Sequence, residues 1–238
     1  MQMGKVQAEH GVNEVVEQTD ADTPTTSEGI AQALKGRILA GQYDFGQRLI
    51  EMDLSEEFSV GRGRIREAFR TLVGEGYLEF VTNRGVFVRR YSRDEMLAMG
   101  RAREVLEGLA ARLAAEGDLD DAQKEALSSL QDRLNEAEAA QDLSAFAREN
   151  KAYHRLIQQL AGNAHVTDFV ERVRIPVARQ QLPPSFASDS MARSNRDHRV
   201  ITMAILSGLA DAAEAAMRAH VRAGNDHIAS LPDGVFEN

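Results

Sequence analysis

Residues 60–90 read VGRGRIREAFRTLVGEGYLEFVTNRGVFVRR. Ile65, Phe69, Leu72 and Val73 recur at helical spacing, so a helix is expected from Arg62 to about Glu75, ended by Gly76. YLEFV and GVFVR then have the composition of strands. Thr82-Asn83-Arg84-Gly85 between them supplies residues that tolerate positive φ, the mark of a tight hairpin. The window holds seven arginines against three glutamates in a chain whose formal net charge is −9.

Upstream, Ile30, Leu34, Ile38 and Leu39 share a helical face that closes at Gly41, and a short helix is expected around Glu51 to Phe58. A turn at Ser59 to Gly61 separates it from the helix at Arg62. Three short helices and a two-stranded hairpin make a winged helix-turn-helix, whose second helix of the pair enters a DNA major groove. Arg62, Gly63, Arg64 and Arg66 begin that helix, and Arg84 and Gly85 tip the wing. Guanidinium groups there can bond phosphates or fork onto a guanine edge.

Charge is distributed in the same sense. Residues 1–28 carry one lysine against six acids, residues 29–92 ten basic groups against eight acids, and residues 93–238 seventeen against twenty-three. An acidic protein with one basic segment is expected to meet a polyanion locally. There is no cysteine, which removes disulfides and thiolate chemistry. No stretch approaches 18 consecutive apolar residues and the N-terminus lacks a signal-peptide pattern, so a cytoplasmic protein is expected. Residues 1–27 are polar, acidic and aperiodic, the composition of a disordered arm. The winged helix-turn-helix is assigned to 28–91 and a second, all-α domain to 92–238.

That second part opens with a capping box at Ser92 and Glu95. Helices are expected at about 93–116, 120–140, 142–161, 164–180, 188–207 and 210–230, an antiparallel bundle of six or seven helices. Their apolar stripes are interrupted by polar residues: Arg103 in the first, Asn150 and His154 in the third, His198 and His220 in the last two. Unpaired polar groups are costly to bury, so these must meet each other, water, a metal or a ligand. Asn150 and His154 lie four apart on one face, as two ligands of one ion would. With His198 and His220 they make a three-imidazole, one-carboxamide set suited to a divalent ion such as Zn or Ni. Satisfied core histidines are the plainer alternative, and for Arg103 a buried pair with Glu107 or Glu104.

The chain resembles the GntR family of bacterial transcriptional regulators, in the FadR-type subfamily with the FCD effector domain. The resemblance rests on QALKGRILAGQYDFGQRLIEMDLSEEFSVGRGRIREAFRTLVGEGYLEFVTNRGVFV, AREVLEGLAARLAA, NKAYHRLIQQLAGN, DHRVITMAI and DAAEAAMRAHV. It implies that Arg62, Arg66, Arg84 and Gly85 contact operator DNA. It also implies that Asn150, His154, His198 and His220 are metal ligands within the effector site, and that Arg103 binds an effector carboxylate. Gly61 and Gly63 stand where the family usually has hydroxyl residues, and Arg64 where it has a small residue or proline. The implied function is a homodimeric repressor that binds a palindromic operator and responds to a small carboxylate. Two rival functions are an architectural DNA-binding protein without an effector and a histidine-ligated metalloenzyme. The sequence counts against the latter because no stripe offers a further carboxylate beside the histidines.

Overall fold

The computed structural model describes residues 24–174, 178 and 180–236. The expected N-terminal arm lies outside these residues up to position 23. Its last residues are ordered: the Thr26 hydroxyl accepts from the Gly29 N–H at 3.1 Å and caps the first helix.

The N-terminal part runs α1 (Ser27–Leu39), β1 (Arg48–Leu49), α2 (Glu51–Glu57), α3 (Arg62–Gly74), β2 (Leu78–Val81) and β3 (Gly85–Val88). Ile30, Leu34 and Ile38 of α1 share one core with Ile65, Phe69 and Leu72 of α3 and with Leu78 and Val88 of the wing. The hairpin forms where it was expected, with Asn83 at φ 62° and Gly85 at φ 106°. A third strand joins it: β1 pairs antiparallel with β3, Arg48 opposite Phe87 and Leu49 opposite Val86, in the order β1-β3-β2. A strand of two residues is too short to show alternation, so no pattern in the sequence marks it.

The second part is helical throughout its described residues: α4 (Arg93–Glu116), α5 (Asp121–Ala139), α6 (Leu143–Leu160), α7 (Ala164–Val173), α8 (Pro184–Leu206) and α9 (Ala210–Ser230), then a 3₁₀ turn at Asp233–Val235. Two helix bounds differ from expectation. The helix expected to reach residue 180 ends at Val173, because Arg174 takes a non-helical φ −95°, ψ 82°. The helix expected from 188 starts at Pro184, a proline at the first helical position, where its missing N–H costs nothing. Leu127, Leu134, Tyr153, Ile157, Ile201 and Met217 form the bundle core. Helices α4 and α9 pack through Gly100 and Gly108. A Cβ on Gly100 would fall 1.8 Å from the Asn225 amide oxygen, and one on Gly108 2.5 Å from Arg218 Cγ.

The two parts share a seam. Met96 of α4 and Ala178 are buried in the winged-helix core. Tyr91, between the parts, is fully buried, and its hydroxyl donates to the Gly76 carbonyl at 2.7 Å. The Gln181 amide pairs with the Tyr91 backbone in both directions. Tyr91 N–H donates to Gln181 Oε1 at 2.9 Å, and Gln181 Nε2 donates to the Tyr91 carbonyl at 2.8 Å. Gln180 also reaches the Leu39 carbonyl at the end of α1.

Candidate functional site: a basic winged-helix edge and a buried histidine cluster

The basic edge is built by α3 and the wing. Burial of Ile65, Ala68, Phe69 and Leu72 fixes which side of α3 faces inward, so Arg62, Gly63, Arg64, Arg66 and Arg70 are turned outward. Arg66 Nε bonds Glu51 Oε2 at 2.8 Å, with the arginine side chain 57% exposed. Arg64 donates to the Thr25 carbonyl at 2.7 Å. Arg62 has no ion pair among the described residues. These contacts are solvent-screened and weak, so a phosphate can replace them. Gly61 is the N-cap and supplies no side-chain bond, so the recognition helix begins without the usual hydroxyl cap. Gly63 has open space around it; nothing in the structure requires a glycine there.

At the wing tip Arg84 lies over the Phe87 ring at 5.3 Å. Gly85 is required twice over. Its φ is positive, and a Cβ there would come 3.3 Å from Arg48 Nε. Arg48 is therefore a further exposed cation at the wing, which the sequence reading missed because the strand that carries it was not legible.

The second site lies in the bundle. His154 on α6, His198 on α8 and His220 on α9 offer nitrogens that all lie within 4.8 Å of one another. His154 and His198 are buried. Ring centroids are 5.4 Å apart for His154 and His198, 5.2 Å for His154 and His220, and 4.6 Å for His198 and His220. Asn150 sits one turn before His154, buried, on the wall of the same cavity. The Tyr153 hydroxyl donates to the His198 carbonyl at 3.0 Å and meets Thr202 Oγ1 at 2.8 Å, which fixes α8 against α6.

Behind the imidazoles stand carboxylates that the sequence reading said were absent. Glu107, on α4, is fully buried and its Oε2 lies 2.5 Å from His154 Nδ1. Asp197 Oδ2 lies 3.4 Å from His220 Nδ1. The missed signal for Glu107 was its place four residues after Arg103 on the inward stripe. That spacing points to Glu107 only as a partner for the arginine. The pairing is present: Arg103 Nε and Nη2 donate to Glu107 Oε1 at 2.9 and 2.6 Å. Arg103 thus reaches the cavity already bonded to a carboxylate of its own chain. Glu104, the other candidate, pairs instead with Arg222 and Arg218.

The electrostatics follow from burial. Desolvation alone would raise the Glu107 carboxyl, but the Arg103 guanidinium, then His154 and Arg174, hold it well below the usual carboxylate range. Burial lowers His154 to about 4, against the opposing pull of Glu107. At neutral pH the pair is a carboxylate and a neutral imidazole. His154 Nδ1 and Glu107 Oε2 touch at 2.5 Å without hydrogen-bond geometry. A ring rotation that lets Nδ1–H donate to Glu107 would leave the Nε2 lone pair as the ligating atom, the arrangement in which a carboxylate orients a metal-binding histidine. The donor set therefore fits a borderline divalent ion.

A cavity of about 980 Å³ joins this cluster to the seam. Its walls include Asn150, His154 and His220 at one end, and Lys35, Tyr77 and Arg89 of the winged-helix part at the other.

Residues 98–223 match the FCD domain, and residues 26–88 match the gntR family of bacterial regulatory proteins. The galactonate operon transcriptional repressor of Escherichia coli K12 is 28% identical over 220 residues, covering 82% of this chain and 93% of that one. The transcriptional repressor GlaR of the same strain is 27% identical over 195 residues, covering 79% and 89%. A crystallised GntR transcriptional regulator from Rhodococcus sp. RHA1 superposes with a TM-score of 0.70 at 21% identity, covering 87% of this chain and 98% of that one.

Proposed function

The chain belongs to the GntR family of bacterial regulatory proteins and carries an FCD domain, and from that premise we propose a metal-assisted, carboxylate-responsive repressor. That it is a transcriptional regulator and not an enzyme follows from the families it matches.

The repressor acts as a homodimer on a palindromic operator, since a twofold protein reads two related half-sites. On each half-site α3 enters the major groove, with Arg62, Gly63, Arg64 and Arg66 at its leading end and Arg84 and Gly85 on the backbone beside the wing. Glu51 releases Arg66 to the DNA at little cost, because exposed pairs are worth about 0–1 kcal/mol.

In the bundle, Asn150, His154, His198 and His220 hold a divalent ion such as Zn or Ni. Bound there, the ion supplies a Lewis-acid site for one carboxylate of the effector. Glu107 keeps His154 in its ligating tautomer, and Arg103 keeps Glu107 ionised. Arg103 also presents its remaining N–H groups to the cavity, where a carboxylate can share them. The effector lies between the histidines and the seam, so its binding changes the contacts that Gln181 and Gln180 make with Tyr91 and Leu39. An effector that weakens operator affinity a hundredfold must favour the non-binding arrangement by about 2.7 kcal/mol.

The observation that carries this reading is the meeting of three imidazoles, two of them backed by carboxylates, at the end of a cavity that reaches the DNA-binding part. The test is operator binding by fluorescence anisotropy, with a duplex recovered from fragments the protein itself selects. A carboxylate should release wild-type protein from the duplex but not His198→Ala. Equal release of both, or none from either with metal present, would contradict the reading and favour an architectural role.

A further inference from the structure

Eight cationic side chains line the cavity against two carboxylates, Glu75 and Glu171. Most of these cations are accounted for. Lys35 is paired with Glu75 at 2.6 Å and Arg89 with Glu95 at 2.9 Å. Lys151, Arg155 and Arg172 are exposed to solvent. Arg103 has given two N–H groups to Glu107. Arg174, at the end of α7, differs. It is half-buried on the cavity wall, and its guanidinium is within 4.0 Å of no carboxylate and donates no hydrogen bond among the described residues. Burial lowers its affinity for a proton; the carboxylates of Glu107 and Glu171 oppose that, and the like charges of Arg103 and Arg155 add to it. It therefore stands near the Glu107–Arg103 pair, in a crowd of cations with too few anions.

The Arg174 N–H groups that open to the cavity meet only water there, and a bound anion can replace that water with charge-assisted hydrogen bonds. The cavity has room for it, since 980 Å³ is far more than a single small carboxylate fills. We infer that Arg174 is a second anion subsite, so that the effector is a small dianion with one carboxylate at the histidine cluster and its other anionic group on Arg174. This rests on the effector reading above and narrows its ligand class. The second group is a carboxylate or a phosphate, both of which a guanidinium binds as a fork. Arg193 also lines the cavity half-buried, but nothing places it in the field of Glu107.

The experiment is isothermal titration calorimetry on the full chain as purified, with two matched pairs of ligands: lactate against malate, and glycerate against 3-phosphoglycerate. In wild type the ligand with two anionic groups in at least one pair should bind about tenfold more tightly than its monoanion, equivalent to ~1.4 kcal/mol. Which pair shows the preference identifies the second group. Arg174→Gln should bring the ratio to within about twofold while monoanion affinity holds. Arg174→Lys, which keeps the charge, should retain most of the preference, and Arg193→Gln all of it. Monoanions and dianions of equal affinity in wild type, or a preference that survives Arg174→Gln, would overturn the subsite and leave the effector site standing. No binding by any of the four ligands would overturn the effector site and the subsite together.

Discussion

The molecule handles arginine in two opposite ways. On α3, Arg62, Arg64 and Arg66 are exposed; Arg64 and Arg66 are each held by a single, replaceable contact, such as the 2.8 Å bond from Arg66 to Glu51, and Arg62 has no ion pair among the described residues. In the bundle, Arg103 is locked onto the fully buried Glu107 by two bonds, and Glu107 in turn touches His154 at 2.5 Å. The first arrangement suits a partner whose phosphates are met anew on each encounter, where affinity comes from exchanging counterions. The second suits a ligand that must find its groups already aligned, because the desolvation has been met during folding. One surface is easily altered without harm to the fold; the other is not.

Breaking the buried arrangement should have the largest effect. Glu107→Ala leaves Arg103 and His154 without their carboxylate, so stability should fall by about 3–5 kcal/mol. A melting curve would show it, and a loss below about 1 kcal/mol would mean the pair is not buried as described. Next in size, Arg62→Ala and Arg66→Ala should each weaken operator binding by about 1–3 kcal/mol with the melting temperature unchanged. If a position contacts only phosphate, the loss should be uniform across sequences and the salt slope should fall by about one. Changes confined to the melting temperature would remove these residues from the interface.

Gln181→Ala tests the join between the two regions. It removes two hydrogen bonds to Tyr91, so effector affinity should hold while its effect on operator affinity drops by roughly 1–2 kcal/mol. Unchanged coupling would place the transmission elsewhere. The smallest effect is expected at the head of the recognition helix. Gly61→Ser restores a hydroxyl N-cap and should stabilise the protein by only a few tenths of a kcal/mol.

Legibility followed the range of the interactions. The hairpin was readable because Asn83 and Gly85 announce positive φ locally, and the capping box at Ser92 forms as its residues indicate. The histidine cluster was readable because helical periodicity turns His154, His198 and His220 inward. What sets their protonation was not. Glu107 is charged, and stripe reading takes a charge as an outward position unless a partner is known, here His154 at 47 positions' remove. Gln181 and Tyr91 meet across 90 positions through a clamp that has no local signature. The two-residue β1 and the wing cation Arg48 were lost for want of length.

The most direct measurement is elemental analysis of metal per chain, on wild type and His154→Ala purified identically without chelators. About one divalent ion per wild-type chain, absent from the variant, is the predicted result. No ion in wild type after incubation with Zn or Ni, or equal content in both proteins, would contradict a metal centre at the three histidines.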